Sequence, residues 1–82
     1  MPQRAVDPAG GEIVRLRTER GWPAARLAAE AGIPLKSLQH YEHGRRCKLT
    51  VLWRIANALS DDKRTITAPD ITAPPAEDRI SA

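Results

Sequence analysis

The chain has 82 residues, which is enough for one small domain, and its formal net charge is +3. Hydrophobic residues make up 41%, there is no Phe, and aromatic mass comes only from two Trp and one Tyr. A core built from Leu, Ile, Val and Ala favours short helices over a β-sandwich. A single cysteine excludes an internal disulfide. Because neither a membrane-spanning apolar run nor a signal-peptide pattern is present, we expect a cytoplasmic protein.

The charges are unevenly distributed along the chain. Residues 12–59 carry nine basic and four acidic side chains, whereas residues 60–82 carry three basic and five acidic ones. A basic domain followed by a mildly acidic segment indicates an anionic partner that docks on the domain. Charge alone also allows a surface that only keeps the protein soluble.

Candidate metal ligands and catalytic groups are few. His40, His43 and Cys47 lie close in sequence, but no fourth ligand accompanies them, so Cys47 is interpreted as an ordinary reduced thiol and no metal or other cofactor is expected. The chain shows no Ser/His/Asp set, no paired carboxylates typical of a cleft and no glycine-rich phosphate loop. We therefore expect a binding protein and no enzyme.

The first segments of the chain read as a leader and a helix. Residues 1–11 contain two Pro and two Gly and are predicted to form a flexible leader. A first helix is predicted from Glu12 to Arg20, with Ile13 and Leu16 on its apolar face. Gly21 follows the helix and is suited to a left-handed cap.

Two short helices joined by a glycine are predicted next. Pro23 is expected at the first position of the second helix, where its missing N–H costs nothing. Gly32 supplies the turn, and Pro34 starts a third helix that runs from Leu35 to about His43. The sides predicted to be buried are those of Leu27, Ala28, Ala31, Leu38 and Tyr41. This succession is the pattern of a helix-turn-helix.

The second half of the chain contains one strongly amphipathic helix. A basic loop, Arg45 to Lys48, precedes a helix predicted from Leu49 to Leu59, with Trp53 half buried beside its apolar stripe. Residues 61–82 have three Pro and no apolar periodicity, and the tetrapeptide Ile-Thr-Ala-Pro occurs twice within them. This segment is predicted to be a disordered tail.

Several motifs together resemble one family of DNA-binding domains. They are Leu16-Arg17 with Gly21, Leu27-Ala28 with Gly32, Glu42-His43-Gly44, and the segment Leu52 to Leu59. Over residues 12–60 the chain resembles the Cro/C1-type (XRE-like) helix-turn-helix family. The resemblance implies a compact, all-α, lambda-repressor-like domain of four helices, or five if the usual last helix forms. It also implies that the third helix enters the major groove of double-stranded DNA.

The resemblance assigns base-reading positions to the third helix, at Leu35, Lys36, Ser37, Gln39 and His40. Their chemistry suits that role: Lys36 can donate to guanine, Gln39 can pair with adenine, and Leu35 can contact a thymine methyl group. Ser37 can serve a base or a phosphate. The alternative for each residue is a solvated helix face.

Basic residues around this helix are predicted to contact DNA phosphates, namely Arg45, Arg46, Lys48 and Arg26. The alternative is a basic loop that only aids solubility. In the family, an arginine of the first helix commonly pairs with the glutamate that ends the third. The resemblance therefore implies a structural ion pair between Arg17 and Glu42.

Three features depart from the family pattern. Pro23 and Ala24 stand where Ser or Thr and a phosphate-binding Gln are usual, Pro34 replaces a capping Ser or Thr, and no fifth helix is predicted. We predict a DNA-binding transcriptional regulator, a repressor or autoregulator, that works as a homodimer or through a partner protein bound by the C-terminal tail. The alternative is a protein-interaction module, or an antitoxin-like partner-binding protein, with the same fold.

Overall fold

The computed structural model describes residues 4–73. Four α-helices are accompanied by two very short strands and a 3₁₀ helix. In chain order these are β1 (Ala5–Val6), α1 (Gly10–Glu19), α2 (Ala24–Ala31), α3 (Leu35–Glu42), β2 (Cys47–Lys48), α4 (Leu49–Leu59) and the 3₁₀ helix Ala68–Ile71. The predicted all-α architecture of four helices is confirmed, and the antiparallel β1–β2 pair is a minor addition. None of the helices within residues 4–73 is both long and apolar enough to cross a membrane.

Both prolines lie just before a helix. Pro23 and Pro34 are the extended residues that precede α2 and α3, with ψ angles of 161° and 143°. Pro23 therefore lies one position earlier than predicted, whereas the predicted start of the third helix at Leu35 is confirmed. Proline fits there because its fixed φ suits extended backbone and the missing N–H leaves no buried donor without a partner. Gly32 then ends α2 with φ of +71°, a left-handed conformation that costs glycine little.

The core lies where α2 and α4 pack together and is closed by α1, α3 and the 3₁₀ helix. Small residues of α2, Ala28 and Ala31, are buried at these contacts, so neighbouring helices can approach closely. The largest side chains without solvent contact are Ile13, Leu27, Leu38, Leu52, Ile55 and Ile71. Trp53 lies at the edge of this core and is 39% exposed.

The prediction of a flexible leader over residues 1–11 is wrong for its described part. Residues 5–6 pair with β2, and the Leu49 amide donates to the Arg4 carbonyl at 2.8 Å. The helix α1 begins at Gly10, two residues before the predicted start, and Gly10 is buried. Proline and glycine content indicated flexibility, but pairing with a distant segment orders this part of the chain. Residues 1–3 lie outside the described residues.

The predicted disordered tail, residues 61–82, is likewise wrong up to residue 73. The Ile66, Ala68 and Ile71 side chains are buried against the helices. Both copies of the tetrapeptide therefore contribute an isoleucine to the core. The 3₁₀ helix is capped reciprocally by Thr67 and Asp70, and the hydrogen bonds that the Asp70 carboxylate accepts from Thr67 lower the pKa of Asp70. Residues 74–82 lie outside the described residues.

Candidate nucleic-acid interface

The outward face of α3 carries the residues predicted to read bases. Leu38 is fully buried and anchors the helix, whereas Leu35, Lys36 and Gln39 are exposed. Ser37 and His40 are partly exposed. Because these side chains occupy about two turns of one helix, they can present donors, acceptors and an apolar group along a single groove.

Part of this face forms a shallow depression at the C-terminal end of α3. The structure brings together here Lys36, Gln39, His40, His43, Gly44 and Arg45. No carboxylate of residues 4–73 lines the depression. Leu35 and Ser37 lie on the same helix but outside it. A depression lined by cationic and amide side chains suits an anionic polar partner.

His43 was missing from the predicted site. Its Nδ1 atom lies 2.7 Å from the carbonyl oxygen of Gln39, one turn earlier, and its ring lines the depression. The helical spacing of three and four residues from His40 and Gln39 was the available signal, because it places His43 on the same face.

An ion pair joins α1 to the end of α3. The Arg17 Nε atom donates to Glu42 Oε2 at 2.7 Å, and a second guanidinium nitrogen donates to Glu42 Oε1 at 3.3 Å. Arg17 also donates to the Trp22 carbonyl at 3.2 Å. The Glu42 side chain is only 8% exposed, and the bond to Glu42 raises the pKa of Arg17. The Glu42 carboxylate is therefore occupied inside the fold and withdrawn from the exposed face.

The four predicted phosphate contacts have different surroundings. Arg45 and Lys48 are exposed and have no ion-pair partner among residues 4–73. The Arg46 Nε atom lies 3.3 Å from Asp7 Oδ1, so its charge is partly compensated by the segment after β1. The predicted basic loop is shorter than expected, since Cys47 and Lys48 form β2.

Arg26 lies apart from the other three. Its Nε atom is 3.3 Å from Glu30 Oε1, and its guanidinium lies 4.9 Å from the centre of the Trp22 ring. It lines a second depression, between α2 and α4, and none of residues 4–73 lines both this depression and the one at α3. The structure thus groups Arg45 with the α3 face and places Arg26 in a different surface.

Among residues 4–73, no cluster of three or more metal-binding side chains occurs. Cys47 is buried in the core, where loss of solvent, together with the nearby Asp7 charge, raises its pKa to about 11. Its thiol is therefore protonated and unreactive at neutral pH.

The chain has two short helices around a glycine turn, and the second helix has an exposed face with basic and amide side chains. This arrangement defines a helix-turn-helix domain. The family model described as helix-turn-helix matches residues 13–60, more than half of the chain. The protein belongs to this family, the Cro/C1-type or XRE-like helix-turn-helix domains of DNA-binding transcription regulators, which are typically not enzymes. Searches among curated proteins and among solved structures gave no significant match.

Proposed function

We propose that the protein is a sequence-specific regulator of transcription, a repressor or autoregulator, that places α3 in the major groove of double-stranded DNA. The observation that carries this proposal is the charge of the α3 surface. Lys36 and Arg45 face solvent there, and the one carboxylate of the helix, Glu42, is enclosed by its pair with Arg17. A helix face without free negative charge can approach phosphates closely.

Three exposed residues of α3 supply the base contacts in this proposal. Lys36 donates to the O6 and N7 atoms of guanine, and the Gln39 amide pairs with adenine. Leu35, which is 40% exposed, contacts a thymine methyl group. Ser37 and His40 are partly exposed and add polar contacts beside them.

Phosphate binding is proposed for Arg45 and Lys48, with Arg46 joining them. Arg45 and Lys48 have no acidic partner within residues 4–73, so DNA does not have to displace one. Arg46 must first exchange Asp7 for a phosphate. Substitution of Arg45 is therefore a better test of phosphate binding than substitution of Arg46, because truncation of Arg46 would also release the Asp7 carboxylate beside the DNA.

The experiment is a salt titration of binding to a labelled duplex pool, followed by selection of the bound sequences. Affinity should fall linearly with salt on logarithmic axes. Lys36→Ala should change the selected sequence, whereas Arg45→Ala should weaken all duplexes alike and reduce the salt slope by about one unit. Lys63→Ala is the matched control, since it removes an exposed charge outside α3.

Two results would contradict the proposal. One is the absence of duplex binding at low salt. The other is an identical effect of Lys36→Ala and Arg45→Ala on sequence preference. Recovery of a palindrome would further indicate that two copies occupy one site, because half-site symmetry mirrors protein symmetry.

A further inference from the structure

A cluster of arginines surrounds Trp22, on the other depression of the surface. The guanidinium carbon of Arg20 lies 4.0 Å from the centre of the Trp22 ring, and that of Arg26 lies 4.9 Å away. Arg54 of α4 lines the same depression. We call Arg20, Trp22, Arg26 and Arg54 the arginine corner. Stacking of this kind orders the arginine side chains before any partner arrives.

The arginine corner has more positive charge than its surroundings compensate. Arg20 donates to the carbonyl oxygens of residues 58 and 60, at 3.2 and 3.4 Å, and these acceptors are neutral. Arg26 has one acidic partner, Glu30, and both side chains are largely exposed. Arg54 is exposed without an ion pair inside residues 4–73. Three arginines thus face one carboxylate, which favours an anionic ligand.

The rest of the depression suits a peptide better than a phosphate backbone. Besides the arginine corner it is lined by Glu30, Ala31, Asn57, Ala58 and Ser60. Trp22 and the alanines offer apolar contact, and Asn57 offers an amide that can donate to and accept from a peptide bond. Tryptophan and arginine are also the residues that most often dominate protein–protein binding. DNA phosphates would use the arginines but leave the apolar and amide groups without a role.

We propose that the arginine corner is a docking surface for an acidic segment of a partner protein. Arg54 and Arg26 bind carboxylates of that segment, Arg26 exchanging its exposed contact with Glu30, while Trp22 packs against the peptide. Because this surface shares no residue with the α3 depression, DNA and the partner can be bound at the same time. The proposal does not depend on DNA binding.

The test starts from a displayed library of random 12-residue peptides selected on the full chain. Selected peptides should be rich in Asp and Glu. Binding is then measured in the Trp53→Phe variant, in which Trp22 is the remaining tryptophan and reports on the arginine corner by its fluorescence. Arg54→Ala and Arg26→Ala should each weaken the peptide by about fivefold or more. Lys63→Ala and Lys36→Ala remove one charge elsewhere and should leave affinity within about twofold.

Several outcomes would overturn the proposal. One is a selection without acidic enrichment, and another is equal binding of peptides in which Gln and Asn replace Glu and Asp. A third outcome combines two results: duplex DNA displaces the peptide, and Arg54→Ala loses as much affinity for DNA as for the peptide. Together these results would assign the arginine corner to phosphate contact. Circular dichroism of each variant separates lost binding from lost folding. Failure of duplex binding alone leaves the peptide result intact, so the two proposals fail separately.

Discussion

The first turn of α1 rests on the backbone at the end of α3, and Gly10 makes that contact possible. A β-carbon built on Gly10 would lie 2.1 Å from the carbonyl oxygen of Glu42 and 2.5 Å from its carbonyl carbon. The obstacle is backbone, which cannot rotate away as a side chain can. We therefore expect Gly10→Ala to force the two helices apart by about an ångström, with a loss of about 2–3 kcal/mol in the free energy of unfolding.

The neighbouring glycine provides a matched control. A β-carbon on Gly11 would meet nothing within 4 Å, and the position is exposed in the same helical turn. Gly11→Ala should therefore stabilise the protein by about 0.5–1 kcal/mol, since alanine loses less conformational entropy in a helix. The two variants have the same composition, so their difference isolates the contact between Gly10 and Glu42.

Thermal and urea unfolding followed by circular dichroism measure this difference. For a domain of this size, a change of 1 kcal/mol shifts Tm by roughly 4–8 °C, so Gly10→Ala should melt about 8–24 °C below the parent. Gly11→Ala should melt a few degrees above it. If both variants melt at the same temperature, α1 does not pack on α3 as described, and the reasoning is refuted.

Three further predictions concern the core, the thiol and the ion pair. Ile71→Ala should lower the free energy of unfolding by about 2–4 kcal/mol in urea titrations, because Ile71 is fully buried although it lies beyond the last α-helix. Cys47 should resist a thiol reagent at pH 8 until the protein is unfolded. Its pKa of about 11, against an ordinary 9.0, also means that stability should be intact below pH 9 and decline as pH rises toward 11. Glu42→Gln should lower the free energy of unfolding by about 1–3 kcal/mol in the same titrations, because it leaves the Arg17 charge without its partner. The loss should be smaller when Glu42→Gln is made in the Arg17→Met variant, because no arginine charge is then left unpaired.

Local periodicity determined how well the helices could be predicted. The structure confirms the predicted limits of α4, Leu49–Leu59, because its apolar residues recur at spacings of three and four over three turns. Both ends of the described chain were mispredicted for the opposite reason. Val6 is only partly buried, and residues 66–71 bury three side chains without a helical period, so both segments are ordered by contacts with residues far away in sequence.

The contacts of the candidate site also differ in how far they could be predicted from the sequence. The pair between Arg17 and Glu42 was implied by the family resemblance and is present in the structure. The partnership of Arg46 with Asp7 was not predicted, since no local pattern connects residues 39 positions apart. The contact of Arg20 was not predicted either. Arg20, the predicted last residue of the first helix, is the cap residue that follows α1, and it donates to the carbonyl oxygen of Ala58 near the end of α4, a contact that exists only once the two helices have packed.

The ion pair and the Gly10 contact act on the same end of α3, and this has a consequence for the proposed reading of DNA by that helix. Gly10 contacts the backbone of Glu42 at the start of α1, and Arg17 binds its side chain about two turns further along the same helix. Both the backbone and the side chain of Glu42 are therefore restrained by α1, which limits the rotation of this end of α3. A small pivot at Glu42 would move Lys36, near the opposite end of α3, by a larger distance. Sequence discrimination should therefore be more sensitive to Gly10→Ala than overall affinity is, because phosphate contacts tolerate displacement better than contacts to base edges.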